Sequence, residues 1–455
     1  MTNFIFSRRD MQKCIDRLAK VIDADQLTSI VGKLNKRGDQ RLPTMWELVI
    51  LDALSHVGKL RHEVPSADGS RPDFELETGI DGEPRLLIVG DITAVSDAWL
   101  DEQNPVDVLF GEVSKLARKC GLNPNKFGYH VPGERVGSYG DERMKLSIPQ
   151  RGQLHFLVRS VLKPWVCGVK EAPDRPHRLD HLDGDTRFSL TYVPTQEFAS
   201  GGYVSYDVAL SLDRNPLFGA LKSKADQLRH APDNALRLIV ACDGDCALFR
   251  GSSFYRSPGT YSAHQIVQDF LRQHSSIDAV LLVGIDEQRG AFGTTAIYKV
   301  KYDVLVPPSR AWSARSGDEA LASLEKVLRA AAEHVPRPVQ TACNAVMRCR
   351  ERGFGHGMVG AYKMRDNSVR LSSRAIQRLL AGETTPENFN MMHGWDREKG
   401  PGNPFSRAIR EGRMISATKI EPGGDHDDDW FVFTFGRPDP AISRFVVPRL
   451  GGGEG

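Results

Sequence analysis

The chain is 455 residues long, 40% hydrophobic and 26% charged, and its 60 basic and 58 acidic side chains leave a formal charge of only +2. Such a balance gives no whole-chain electrostatic drive toward nucleic acid or membrane, so an anionic partner must be held by a local patch. No run of about 18 apolar residues occurs, which argues against a membrane-spanning helix, and the stretch before Arg8 is too short for a secretory signal. The seven cysteines, at 14, 120, 167, 242, 246, 343 and 349, are widely spaced without a CxxC pair. They read as reduced thiols of a cytoplasmic protein rather than a disulfide frame or a zinc site.

In chain order, Ser7 with Asp10 reads as a helix cap, and Met11, Ile15, Leu18 and Ile22 recur at helical spacing. Leu27, Ile30, Val31 and Leu34 mark a second helix, and a modest excess of basic residues makes 1–42 a basic helical arm. Pro43 and Thr44 predict the start of a third helix, with the stripe Trp46, Val49, Ile50, Ala53, Leu54 and Val57 and Gly58 at its end. Residues 59–64 read as a short strand, 71–77 alternate with period 2, and Asp81-Gly82 signals a hairpin turn. Residues 86–89 form a continuous apolar run, as a strand buried on both faces requires. Asn104-Pro105 opens a further helix with the stripe Val106, Leu109, Phe110, Val113, Leu116 and Ala117, and 126–132 can be one more strand. The predicted order within 43–132 is helix, three strands, helix, strand.

Farther along, 143–167 reads as mainly helical and 170–186, rich in Pro, Asp, His and Arg, as a loop. Strands near 187–193, 203–212, 236–242, 278–285 and 294–304 and helices near 216–229 and 262–273 fill out a second α/β region, 133–306. After a linker at 307–317, helices near 318–333, 337–351 and 372–381 and a hairpin joining 413–420 to 430–435 predict a C-terminal α+β module, 318–455. The class is mixed α/β.

Chemistry concentrates on Asp73 and Asp91, one on each of two consecutive strands joined by a hairpin. Neighbouring antiparallel strands bring such carboxylates close enough to share a divalent cation, and hard oxygen ligands with retained waters are what Mg²⁺ (or Mn²⁺) takes. A cation held this way activates water and stabilises charge on a phosphate under in-line attack. Helix, three strands, helix, strand, with Pro72-Asp73 on the second strand and Asp91-Ile92-Thr93 on the third, resembles the core of the PD-(D/E)XK restriction-endonuclease-like nucleases. Arg71-Pro72-Asp73-Phe74 is also similar to the equivalent stretch of very-short-patch repair endonucleases, without their zinc ligands. The resemblance implies an αβββαβ nuclease core at 43–132, a metal held by Asp73 and Asp91, and a first-helix glutamate, Glu47, as a further catalytic candidate. It implies metal-dependent cleavage of nucleic acid, DNA before RNA, by an endonuclease of a prokaryotic restriction or anti-phage defence system. A second copy or a partner protein of that system fits the same picture.

The sequence departs from the pattern at Thr93, which stands where the family has lysine and cannot supply a cation. Lys115 or Lys119 on the following helix, or Lys222 or Lys224 on the helix near 216–229 that also carries Gln227, are the alternatives. These four lysines are also the candidate nucleic-acid contacts, although Lys115 and Lys119 read first as a solvated face. Glu47, three residues after Thr44, equally reads as half of a capping box. The other reading of Thr93 is a decayed nuclease fold that only binds nucleic acid or assembles with a partner. Asp243-Gly244-Asp245 reads as a turn or a metal-holding strand end, and Asp425-His426-Asp427-Asp428-Asp429 as a solvated turn. The glycine-rich run from Arg352 to Val359 lacks the Gly-Lys-Ser/Thr of a phosphate loop. No GxSxG, HExxH or dinucleotide fingerprint occurs, which lowers the case for esterases, zinc proteases and oxidoreductases.

Overall fold

The first helix, α1 (Arg8–Leu18), begins where its cap predicts: the Ser7 hydroxyl accepts from the Asp10 amide at 3.0 Å and donates to the Asp10 carboxylate at 2.8 Å. In the computed structural model, residues 4–36, 40–65, 71–78, 85–98, 105–138, 143–149, 154–203, 209–250, 260–289, 296–307, 318–350, 363–365, 367–393, 395, 402–423, 429–439 and 441–442 are described. The chain divides into two units. One comprises 1–52, 287–300 and 334–455, and the other 53–286 and 301–333. Among the described residues no helix is long and apolar enough to cross a membrane.

In the first unit, α2 (Ala24–Asn35) is followed by α3 (Arg41–Ser55), which crosses the unit boundary at Asp52. That third helix starts earlier than Pro43 predicts. The Arg41 guanidinium donates back to the carbonyls of Leu34 (2.8 Å) and Asn35 (3.2 Å), closing the end of α2. Thr44 therefore lies inside the helix, its hydroxyl donating to the Gln40 carbonyl at 2.7 Å, and Glu47 is not part of a capping box. Arg17 grips the fully buried Asp52 with two bonds of 2.9 and 2.6 Å. Phe6 meets Trp46 edge-on in the same core.

The C-terminal module of this unit is a four-stranded sheet in the order β13-β14-β16-β15. Its strands are β13 (Lys363–Arg365), β14 (Ser368–Ser372), β15 (Ile415–Glu421) and β16 (Trp430–Phe435), numbered along the chain with those of the second unit. Val369, Leu371, Ala375, Phe389, Trp395 and Phe435 form its core. The hairpin expected here is the β15–β16 pair.

In the second unit, β1 (Gly58–His62), β2 (Phe74–Thr78) and β3 (Leu87–Val95) form an antiparallel meander. The next strand beside β3 is β10 (Leu236–Asp243), paired in parallel over eight residues, and β11 (Ala279–Arg289) follows in parallel. The full order is β1-β2-β3-β10-β11-β12, with β12 spanning Ala296–Leu305. Two crossover helices, α7 (Pro216–Gln227) and α8 (Ala263–Gln273), share one cluster on this sheet. Leu217, Phe218, Leu221, Ala225, Ile266, Val267 and Phe270 pack with Val89, Val95, Ile239, Ala241, Val280 and Leu282.

This arrangement corrects the contiguous core expected at 43–132. The 126–132 segment is indeed a strand, β4 (Phe127–Val131), but it belongs to a separate four-stranded sheet, where it lies between the strands Thr186–Tyr192 and Ser200–Tyr203. That sheet joins α4 (Pro105–Lys119) and the helices α5 (Leu154–Leu157) and α6 (Lys163–Glu171), linked by a π-turn at Val158–Leu162, in a second core. The physical reason is burial: all eight residues of β10 are buried, so its apolar run suits the interior position beside β3, whereas β4 carries exposed His130. Residues 105–203 are thus an insertion between β3 and α7. Within it, 143–146 form β6 (Arg143–Leu146), paired with β5 (Gly133–Val136), not helix. The supposed loop at 170–186 contains the edge strand β7 (His177–Asp183), paired with β8 (Thr186–Tyr192). Its polar residues on both faces conceal the strand from a periodicity reading. The strand expected at 203–212 is instead the short β9 (Ser200–Tyr203), with 204–208 outside the described residues.

Candidate active site

The β2–β3 register pairs Phe74 with Gly90 and Glu75 with Val89, so one step further sets Asp73 opposite Asp91. Directly opposed residues of an antiparallel pair project to the same face, which explains how the two carboxylates meet. Proline at 72 has no amide proton for the ladder, and side chains take over the pairing at this end. The Ile92 amide donates to Asp73 Oδ2 at 2.6 Å, and the Asp73 amide donates to Asp91 Oδ1 at 3.3 Å. Gly90 lets the strands close beside the pair. A Cβ there would stand 2.4 Å from Phe74 Cζ and 2.7 Å from the Leu238 carbonyl oxygen.

The third member arrives from α7. Asn215 caps this helix by accepting from the Phe218 amide at 2.9 Å, with Pro216 in the first turn. Leu217, Phe218, Leu221, Ala225 and Leu228 form its buried stripe, and helical spacing places Lys224 at the edge of that stripe, toward the sheet. Its ammonium stands 3.2 Å from Asp91 Oδ1 and 3.5 Å from Asp73 Oδ2, and donates to Gln227 Oε1 at 2.9 Å. Asp91 is 1% exposed. Burial first, and then the like charge of Asp73, pushes its carboxyl up to about 6, against the opposing pull of Lys224. Asp91 Oδ2 is buried without a hydrogen-bond partner among the described residues.

A buried carboxylate such as Asp91, which shares a lysine with half-buried Asp73 and keeps one oxygen unsatisfied, carries a desolvation cost, and a bound cation would offset it. Among the described residues no group of three or more His, Cys, Asp and Glu gathers as a metal cage. The donor set is therefore two carboxylates, and Mg²⁺ commonly takes just one or two from a protein and completes its shell with waters and substrate oxygens. The residues present fit such an ion.

The remaining candidates fall elsewhere. Thr93 is half-buried and alternates onto the same strand face as Asp91, two residues on, with no cationic group to offer. Lys222 is exposed on α7, away from the stripe. On α4 in the insertion, Lys119 is exposed and Lys115 is engaged by Glu112 at 2.6 Å, which suits the solvated-face reading. Glu47 is half-buried on α3, in the first unit. Asp243 is 4% exposed at the end of β10 and accepts from the amides of Asp245 (3.0 Å) and Cys246 (3.2 Å), which makes it the anchor of a tight turn. Residues 352–359 and 425–428 lie outside the described residues. The sequence left open which lysine replaces the missing one. A charged residue at the edge of an apolar helical stripe was the available signal, since it demands a partner in the core it faces. No protein-family model, curated protein or solved structure matches this chain.

Proposed function

We propose that the chain is a metal-dependent nuclease of PD-(D/E)XK type, with Asp73 and Asp91 as metal ligands and Lys224 in place of the lysine missing at Thr93. One observation carries the reading: Lys224 reaches both aspartates from the crossover helix between parallel strands β3 and β10. With the insertion set aside, α3-β1-β2-β3-α7-β10 follows the αβββαβ order expected of such a core. Bound Mg²⁺ or Mn²⁺ supplies positive charge at the scissile phosphate and lowers the pKa of a coordinated water.

The chain's own residues do the rest. Asp73 is fixed by the Ile92 amide, so its second oxygen is presented in a defined direction. Asp91, deep on β3, offers its unpartnered oxygen beside it. Lys224 brings a cation with three N–H donors, able to orient a water for in-line attack or to steady a phosphoryl oxygen as negative charge grows. Gln227 positions that ammonium from one turn along the helix. A DNA substrate and a role in defence rest on the resemblance, and a cytoplasmic setting on the widely spaced cysteines. The decayed-fold reading drew its support from Thr93, and a lysine in reach of both acids weakens it.

The test is cleavage of duplex and single-stranded DNA and of RNA with Mg²⁺ or Mn²⁺, by wild type and by Asp73→Asn, Asp91→Asn and Lys224→Met. Each variant should keep its far-ultraviolet circular dichroism and lose activity by roughly a thousandfold or more. Variants that cut as fast as wild type would refute the assignment. Salt-sensitive binding by wild type without cleavage under any divalent metal would restore the non-catalytic reading.

A further inference from the structure

Lys224 has a second consequence, which rests on the metal-binding reading above. An ammonium has three N–H donors. Among the described residues Lys224 has three polar neighbours within 3.5 Å, namely Asp91 Oδ1, Asp73 Oδ2 and Gln227 Oε1. Two of its donors are engaged, by Asp91 Oδ1 and Gln227 Oε1, and the carboxylate of Asp73 faces the ammonium at 3.5 Å, so a water or a phosphate competes with the carboxylates for it. The side chain is only 18% exposed, so solvent screens its charge weakly. Two aspartates carry a charge of −2, and this ammonium reduces the cluster to −1.

We propose that Lys224 makes the metal site conditional: its ammonium holds divalent-cation affinity down until a phosphodiester draws that ammonium away from the carboxylates. When the anionic phosphate takes over the donors of Lys224, Asp91 Oδ1 and Asp73 Oδ2 lose their counter-charge and the pair regains its full attraction for a dication. Metal and nucleic acid then bind with positive coupling, and linkage makes the coupling reciprocal. A dication without substrate is held weakly, which limits unproductive water activation.

The experiment is calorimetric titration of Mn²⁺ into the full chain, alone and with a duplex DNA oligonucleotide carrying non-hydrolysable phosphorothioate linkages. Wild type, Lys224→Met, Lys224→Gln, Lys224→Arg and Asp91→Asn are compared. Removing the charge with Met or Gln should tighten Mn²⁺ binding by about tenfold or more without DNA, because a like charge near the ion is gone. Arg, which keeps the charge, should not tighten it. The oligonucleotide should tighten Mn²⁺ binding to wild type and have a smaller effect on the Met and Gln variants. Met and Gln variants that bind Mn²⁺ no more tightly than wild type, while Asp91→Asn abolishes binding, would overturn this inference alone. Wild-type Mn²⁺ binding unaffected by Asp91→Asn would overturn the metal site itself, and this inference with it.

Discussion

Asp91 is not the only buried acid on the helix-covered face of the sheet, and replacing Asp243 by asparagine separates a turn anchor from a catalytic group. Burial is the main cause that lifts the Asp243 carboxyl from 3.8 to about 6, with the nearby charge of Asp245 adding to it; the amides of Cys246 and Asp245 and the charge of Lys301 pull the other way. Between those two values the folded chain keeps a proton that the unfolded chain has shed. Raising the pH through this window therefore lowers stability, and the loss is complete above about pH 6. At about 1.4 kcal/mol per tenfold change in the proton equilibrium, the loss is roughly 3 kcal/mol. Asparagine keeps an acceptor for the Asp245 and Cys246 amides but brings a buried NH₂ whose desolvation costs roughly 1–2 kcal/mol. Asp243→Asn should then be slightly less stable than wild type near pH 4 and about 1–2 kcal/mol more stable at pH 7.5. Asp243→Ala is different. It strands both amides of a turn in which Asp245 sits at φ +77°, and should be roughly 1 kcal/mol less stable than Asp243→Asn at every pH, its deficit of roughly 2–3 kcal/mol against wild type near pH 4 shrinking as the pH rises. Urea unfolding from pH 4 to 7.5 reads the difference between variant and wild type, in which contributions from other acids cancel. A difference that stays flat across this range would refute the reasoning. If Asp243→Asn, while folded, also lost the nuclease activity proposed above, Asp243 would belong to the chemistry and not to the turn.

In the first unit, the order of two substitutions follows from their burial. Arg17→Met leaves the fully buried Asp52 without its guanidinium and should cost roughly 2–3 kcal/mol. Asp52→Asn leaves Arg17, 41% exposed, free to turn to water and should cost about 1 kcal/mol. Chemical denaturation giving the reverse order would show that the pair is not held by the desolvation of Asp52. At the site, Gly90→Ala places a methyl against Phe74 and the Leu238 carbonyl and should cost roughly 2–4 kcal/mol, because the backbone contact cannot yield. A melting temperature within about 2 °C of wild type would contradict this. The cleavage proposed above should be depressed in Gly90→Ala, since the residue holds β3 between β2 and β10 next to Asp91.

Local pattern determined much of this protein. The spacing of Ser7 and Asp10, the Asn215-Pro216 opening of α7, the apolar runs of β3 and β10 and the period-2 alternation around Asp73 each act within a few residues, and each produced the expected element. The opposition of Asp73 and Asp91 was legible for the same reason, since a hairpin fixes register over a short span. What the sequence could not decide was which distant strand lies beside β3. Residues 126–132 and 236–242 both read as strands, and only competition for a position buried on both faces placed β10 there and sent β4 to a second sheet. The same pairing, with a long insertion looped out, brings α7 over β3 and sets Lys224 within 3.5 Å of carboxylates 133 and 151 positions earlier in the chain. A cation that far along the chain is invisible to any local motif, because its approach is paid for by the packing of a whole helix rather than by its neighbours in sequence.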